Sequence, residues 1–195
     1  MGAIFQSLGR TVLAGFVLVV IMLWAAGTFG KMGEHGYWLF FMRWLHVLSA
    51  VMWIGLLWYF NFVQIPSMPK IPDEQKPAIG KVIAPTALFW FRWAALATVV
   101  TGLLLAGMHK GYLVSALSLQ VPHRTIGIGM WLGLVMAFNV WFIIWPNQKK
   151  ALGIVQVAPE EKAAAARMAM LTSRANTMLS IPMLYCMVAQ QNGGL

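Results

Sequence analysis

In the segment RWLHVLSAVMWIG, Arg43 to Gly55, a guanidinium and an imidazole stand three residues apart in an otherwise apolar run. That spacing is just under one helical turn, so Arg43 and His46 share a helix face. A neutral imidazole ligates haem iron well, and an arginine on the same face suits a haem propionate. His46, with His109 or His123 as second ligand and Arg43 beside a propionate, is the candidate set for a b-type haem. The same residues also suit a packing role, with His46 bonded to a backbone carbonyl or to Ser49 and Arg43 reaching to a membrane interface. Depth bears on the choice. If the helix begins at Tyr37, His46 lies about 14 Å along it, far from His109 and His123. If the membrane begins nearer Met42, His46 is about one turn deep and either histidine becomes a partner.

A second set, Arg92, Asn139, Arg174 and Asn176, lies inside other apolar runs, with Asn147 and Gln148 close behind one of them. Polar groups in hydrocarbon are costly and normally face a bundle interior or a cavity. The arginines either reach to headgroups or bind an anionic group. All five acids, Glu34, Asp73, Glu74, Glu160 and Glu161, lie between the apolar runs, which argues against a carboxylate-based proton pump. The single cysteine, Cys186, rules out an intrachain disulfide, a thiolate zinc site and a covalently attached c-type haem. Phosphate-loop, nucleophile-elbow, zinc-protease and EF-hand patterns are missing.

These residues must be carried by elements that live in a bilayer. The chain has 195 residues, of which 60% are hydrophobic and 10% charged, far from a soluble composition. Five apolar runs, at about 11–29, 37–63, 84–108, 125–145 and 169–189, are each long enough to cross a hydrocarbon core of about 30 Å. The expectation is an all-α integral membrane protein with about five transmembrane helices in one bundle and one domain over 1–195. Gly30 and Gly33 separate the first two spans, QIPSMPKIPDEQKP reads as a proline-broken loop, Pro85 suits a helix start and Pro146 stops span four. Pro159 followed by two acids reads as a helix start that extends span five into solvent. The first run also has the look of a cleavable signal peptide and is read as a retained span.

Eight cations, Arg10, Lys70, Lys76, Lys81, Lys149, Lys150, Lys162 and Arg167, fall on one side of this topology and three, Lys31, Lys110 and Arg124, on the other. The positive-inside bias then puts the N-terminus in the cytoplasm and the C-terminus outside. The formal net charge of +9 points to anionic lipid rather than nucleic acid, because the cations sit at the ends of apolar runs. The tryptophans suit interfacial belts and helix packing, and Gly129 with Gly133 forms a GxxxG suited to close helix contact.

Four blocks in order, RWLHVLSAVMWIG, WFRWAALATVVTGLLL, MAFNVWFIIWPNQKK and SRANTMLSIPMLYCMV, together resemble the membrane domain of the bacterial membrane-bound urate oxidase (urate hydroxylase) family. The matching residues are His46, Trp53 and Gly55, then Asn139, Pro146, Asn147 and Gln148, then Ser173, Arg174, Asn176 and Pro182. The resemblance implies a multi-pass protein of the bacterial inner membrane tied to oxidation and electron transfer. It also implies a short form without the family's C-terminal cytochrome c domain, so a separate cytochrome c would accept electrons. The family pattern places a histidine where this chain has Ala175 and another near Gly127. The leading expectation is a membrane subunit of an oxidative or respiratory complex that holds haem. The alternatives are a non-catalytic subunit packing against a larger membrane oxidase or monooxygenase, and an autonomous urate-oxidising enzyme using Arg92, Asn139, Arg174 and Asn176.

Overall fold

A computed structural model describes residues 2–193. Among them no strand occurs, as expected where every backbone group must bond within its own segment. The principal helices are α1 (Leu8–Ala25), α2 (His35–Lys70), α3 (Lys76–Gly107), the short α4 (Tyr112–Leu117), α5 (Arg124–Ala151) and α6 (Pro159–Asn192). Four of them, α1, α2, α3 and α5, are long and apolar enough to cross a membrane.

The chain divides after Phe41 into two compact units. In the first, α1 is apolar on every side, the pattern of a span rather than of an amphipathic surface helix. Its turn into α2 is held by the Trp38 indole, which donates to the Met32 carbonyl at 2.9 Å, and by Tyr37 and Trp38 against Phe41.

The second unit contains the rest of α2 with α3 to α6. Its core is drawn from Trp53, Leu57 and Phe60 of α2, Leu88, Phe91 and Ala95 of α3, and Met136, Val140 and Ile144 of α5, with Met183 of α6. The outer face is apolar too. On α3, Phe89, Trp93, Leu96, Val100 and Leu104 are exposed, and on α5 so are Ile128, Trp131, Val135, Phe138 and Phe142. An apolar exterior at helical spacing over several turns needs lipid around it, because water would penalise so much exposed hydrocarbon.

The expected fifth span lies within α6, which does not reach the hydropathy of the other four. Its inner stripe explains why. Ala165, Ala169, Ser173, Asn176, Ser180, Met183, Cys186 and Ala189 are buried at spacings of three and four, while Met168, Leu171, Met178, Ile181, Tyr185 and Val188 face outward. This is an inside-out helix. Small and polar residues let neighbouring backbones approach and hydrogen-bond, and large apolar ones are left for lipid. Average hydropathy counts the inner stripe against the helix.

The prolines correct the expected boundaries. Pro146 does not stop the fourth span, since α5 runs on to Ala151, and α3 begins well before Pro85. Instead Pro66, Pro85 and Pro146 each follow a π-helical turn that ends two residues upstream, at Tyr59–Gln64, Ile79–Ile83 and Asn139–Ile144. A proline ring crowds the carbonyl of the preceding turn and lacks an N–H. Widening that turn to i→i+5 bonding relieves the crowding and lets the helix continue.

Candidate functional site

His46 sits on the seam between α2 and α3. Its Nδ1 lies 2.9 Å from the Thr98 carbonyl and 3.3 Å from Thr101 Oγ1. A carbonyl can only accept, so Nδ1 carries the proton and Nε2 is left with its lone pair. Both threonines donate their own hydroxyls back along α3, Thr98 to Ala94 and Thr101 to Ala97. The ring lies against Gly102, where a Cβ would come within 2.8 Å of Cε1. Gly102 is therefore the recess that admits the imidazole. Ser49, the hydroxyl expected as a partner, bonds instead to Leu45 of its own helix at 2.9 Å.

The other two candidate ligands meet around a residue that sequence reasoning missed. Tyr112, in the first turn of α4, has its ring centroid 4.3 Å from that of His123 and 5.4 Å from that of His109. His123 Nδ1 is 3.0 Å from Ser115 Oγ, one turn further along α4. Burial pushes the Tyr112 phenol up, and the nearby Arg43 guanidinium pulls it back in part. Arg43 thus acts on the tyrosine of the histidine cluster, and its Nε is buried without a hydrogen-bond partner. The signal for Tyr112 was faint. GYLVSALSL is short and lies between two spans, but Gly111 at φ 74° opens a helix there that the spacing of apolar residues does not announce.

The second candidate set separates. Asn176, fully buried, accepts from Asn139 Nδ2 at 2.8 Å and donates to the Met136 carbonyl at 2.9 Å, tying α6 to α5. Next to this lock, Asn61 of α2 donates to Ser173 Oγ at 2.8 Å, and the Trp58 indole donates to Ser180 Oγ at 3.0 Å. The polar stripe of α6 is thus bonded to both neighbours. Arg92 goes elsewhere, with its guanidinium carbon 3.5 Å from the centroid of the Trp145 ring. Arg174 is exposed on the outer side of α6. The structure therefore joins two of the four residues and leaves the arginines apart from them.

Gly127 is enclosed by backbone. A Cβ there would collide with the Ala116 carbonyl of α4 and stand 3.0 Å from Leu119 Cδ2. No side chain fits at 127 while α4 lies across α5. His123, one turn earlier, turns onto α4 instead.

For a haem, the donor chemistry of His46 fits. A ligating histidine usually gives its second ring N–H to a carbonyl or carboxylate, which fixes the tautomer and orients the ring. The Thr98 carbonyl does this here. Among the described residues no group of three or more His, Cys, Asp or Glu side chains is placed to hold a bare metal ion.

Residues 123–193 are similar to the family model described as urate oxidase N-terminal. The match takes in the blocks containing Asn139 and Asn176. The blocks containing His46 and Arg92 lie outside it. No curated protein and no solved structure matches the chain.

Proposed function

We propose that this protein is a membrane subunit of a bacterial oxidative or respiratory complex and that His46 is an axial ligand of a b-type haem. The observation that supports this is the His46–Thr98 hydrogen bond, which leaves Nε2 as a lone-pair donor on a half-buried imidazole. The urate oxidase-related segment at 123–193 supports the oxidative setting. A haem held there would supply one-electron transfer. The protein's part is to hold the ligand and to set the surrounding charge. Thr98 and Gly102 hold the imidazole in one rotamer, and Arg43 lies on the same face of α2 for a propionate. His109 or His123 would serve as a second ligand only by leaving the Tyr112 ring. The proposed orientation is N-terminus in the cytoplasm of the bacterial inner membrane, with a separate cytochrome c as acceptor.

The absorption spectrum of the purified protein, oxidised and reduced, tests this. A Soret band with an α band on reduction is expected, and both are lost in His46→Ala. A protein without either band in any redox state ends the haem proposal.

A second reading has its own support. The Asn139–Asn176–Met136, Asn61–Ser173 and Trp58–Ser180 hydrogen bonds use the polar groups of α6 for helix packing. A non-catalytic subunit that docks on a larger membrane oxidase would be built in this way. Mass analysis after gentle detergent extraction is expected to find it with other membrane subunits. Full redox activity of the isolated monomer would exclude this reading.

A further inference from the structure

At the end of the second unit opposite the histidines, two cations share one indole ring. The Arg92 guanidinium lies 3.5 Å from the Trp145 centroid, and Lys149 Nζ, one turn along α5 from Trp145, lies 5.7 Å from the same centroid. The two distances sum to 9.2 Å, which bounds the separation of the charges. Each cation is favoured over the ring face, but like charges this close repel. Among the described residues neither has a carboxylate partner. The ion pairs are Lys76–Asp73 and Lys150–Glu161. Arg92 Nε is also left over, buried with no hydrogen-bond partner.

The depth of the group identifies what would complete it. Counting from Gly107, Arg92 lies about 22 Å down α3, and counting from Arg124, Trp145 lies about 32 Å down α5. With a hydrocarbon core of about 30 Å, Trp145 falls at the far interface, where indoles concentrate and where lipid phosphates begin. A guanidinium just inside that level and an ammonium just outside it bracket a phosphate between them. The guanidinium, held over the Trp145 ring by its central carbon, has five N–H donors in a fork that can serve two phosphate oxygens.

We infer that Arg92, Trp145 and Lys149 form a binding site for a phosphate group, with the headgroup of an anionic phospholipid as its source. The site is independent of any haem, and its test does not depend on absorption. The purified full-length chain would be placed in nanodiscs of phosphatidylcholine with or without phosphatidylglycerol. The measurements are its thermal midpoint and, by native mass spectrometry, the phosphatidylglycerol it retains. Phosphatidylglycerol is expected to raise the midpoint and to remain as one bound lipid per chain. Lys149→Gln is expected to weaken retention about fivefold, taking about 1 kcal/mol per cation near the surface. Arg92→Gln should weaken it at least as much, and Lys81→Gln, which removes a cation elsewhere, should not. Where Arg92→Gln fails to fold, Lys149→Gln alone decides. A further arm adds inorganic phosphate to the phosphatidylcholine discs. A rise in midpoint that Lys149→Gln abolishes would support the site with free phosphate as the source. Lipid retention and midpoint unchanged by Lys149→Gln, or no response to phosphatidylglycerol or inorganic phosphate above the zwitterionic phosphatidylcholine background, would overturn it.

Discussion

Two seams of the second unit solve the same problem with different side chains. Between α5 and α6, Asn176 is fully buried and its amide is bonded at both ends, to Asn139 and to the Met136 carbonyl. Between α2 and α3, His46 also bonds a backbone carbonyl across the seam, yet it is half-buried and its second nitrogen keeps a lone pair. A buried amide engaged at both its oxygen and its nitrogen has no nitrogen lone pair to offer an iron. An imidazole fixed at one nitrogen remains a ligand at the other. Similar packing duty thus leaves one seam inert and the other equipped, and this difference motivates His46 rather than Asn176 as the place to look for a cofactor.

The largest effect is expected from breaking the inert seam. Asn176→Ala leaves Asn139 Nδ2 and the Met136 carbonyl without their partner and opens a small void, at a cost of about 2 kcal/mol. Unfolding of the detergent-solubilised protein by a denaturing detergent would measure it. A loss below a few tenths of a kcal/mol would mean the amide lock is decorative. Gly102→Ala is next. Its Cβ would come within 3.1 Å of His46 Nδ1 as well as 2.8 Å of Cε1, so the ring must turn off Thr98, at about 1 kcal/mol. The same variant should displace any haem bands, which joins the two readouts at one residue.

His46→Ala sharpens the contrast from the other side. Membrane hydrogen bonds average about 0.6 kcal/mol, so its stability should fall by roughly that amount while a haem spectrum vanishes altogether. Equal losses of stability for His46→Ala and Asn176→Ala, with no spectral change in either, would make the two seams equivalent. The smallest effect concerns Tyr112. Burial holds its phenol above the usual tyrosine range and Arg43 opposes that shift. Arg43→Gln should therefore raise it further, seen as later tyrosinate absorbance in an alkaline titration with Tyr112→Phe as the blank. Because the folded form favours the neutral phenol, stability from this group is present at neutral pH and lost as pH rises through its folded value. A titration that Arg43→Gln leaves unchanged would separate the arginine from the histidine cluster.

The helical, lipid-embedded character of the chain was legible in its hydropathy. Runs of apolar residues longer than any soluble helix needs admit no other fold class. His46 and Asn176 were also legible as residues needing explanation, because a polar side chain is conspicuous in such a run. Helix ends were less so. Pro66 read as part of a loop, Pro85 as a helix start and Pro146 as a stop, since a single sequence shows the missing N–H but not the widened turn upstream that absorbs it. The run in α6 was visible as apolar but not as an inside-out helix, because direction around an axis is set by neighbours.

What composition and periodicity determine by themselves is the solvent this protein folds in, since each residue's transfer free energy is a local property. Which polar residues meet is decided by packing between distant segments. Only the tertiary structure lays Arg92 on Trp145, brings Asn61 to Ser173 and gathers His109 and His123 around Tyr112. It also explains the glycine at 127, where the carbonyl of Ala116 leaves no room for a side chain. The Arg92–Trp145 and Asn61–Ser173 contacts join segments far apart along the chain, and their geometry follows from how the helices cross.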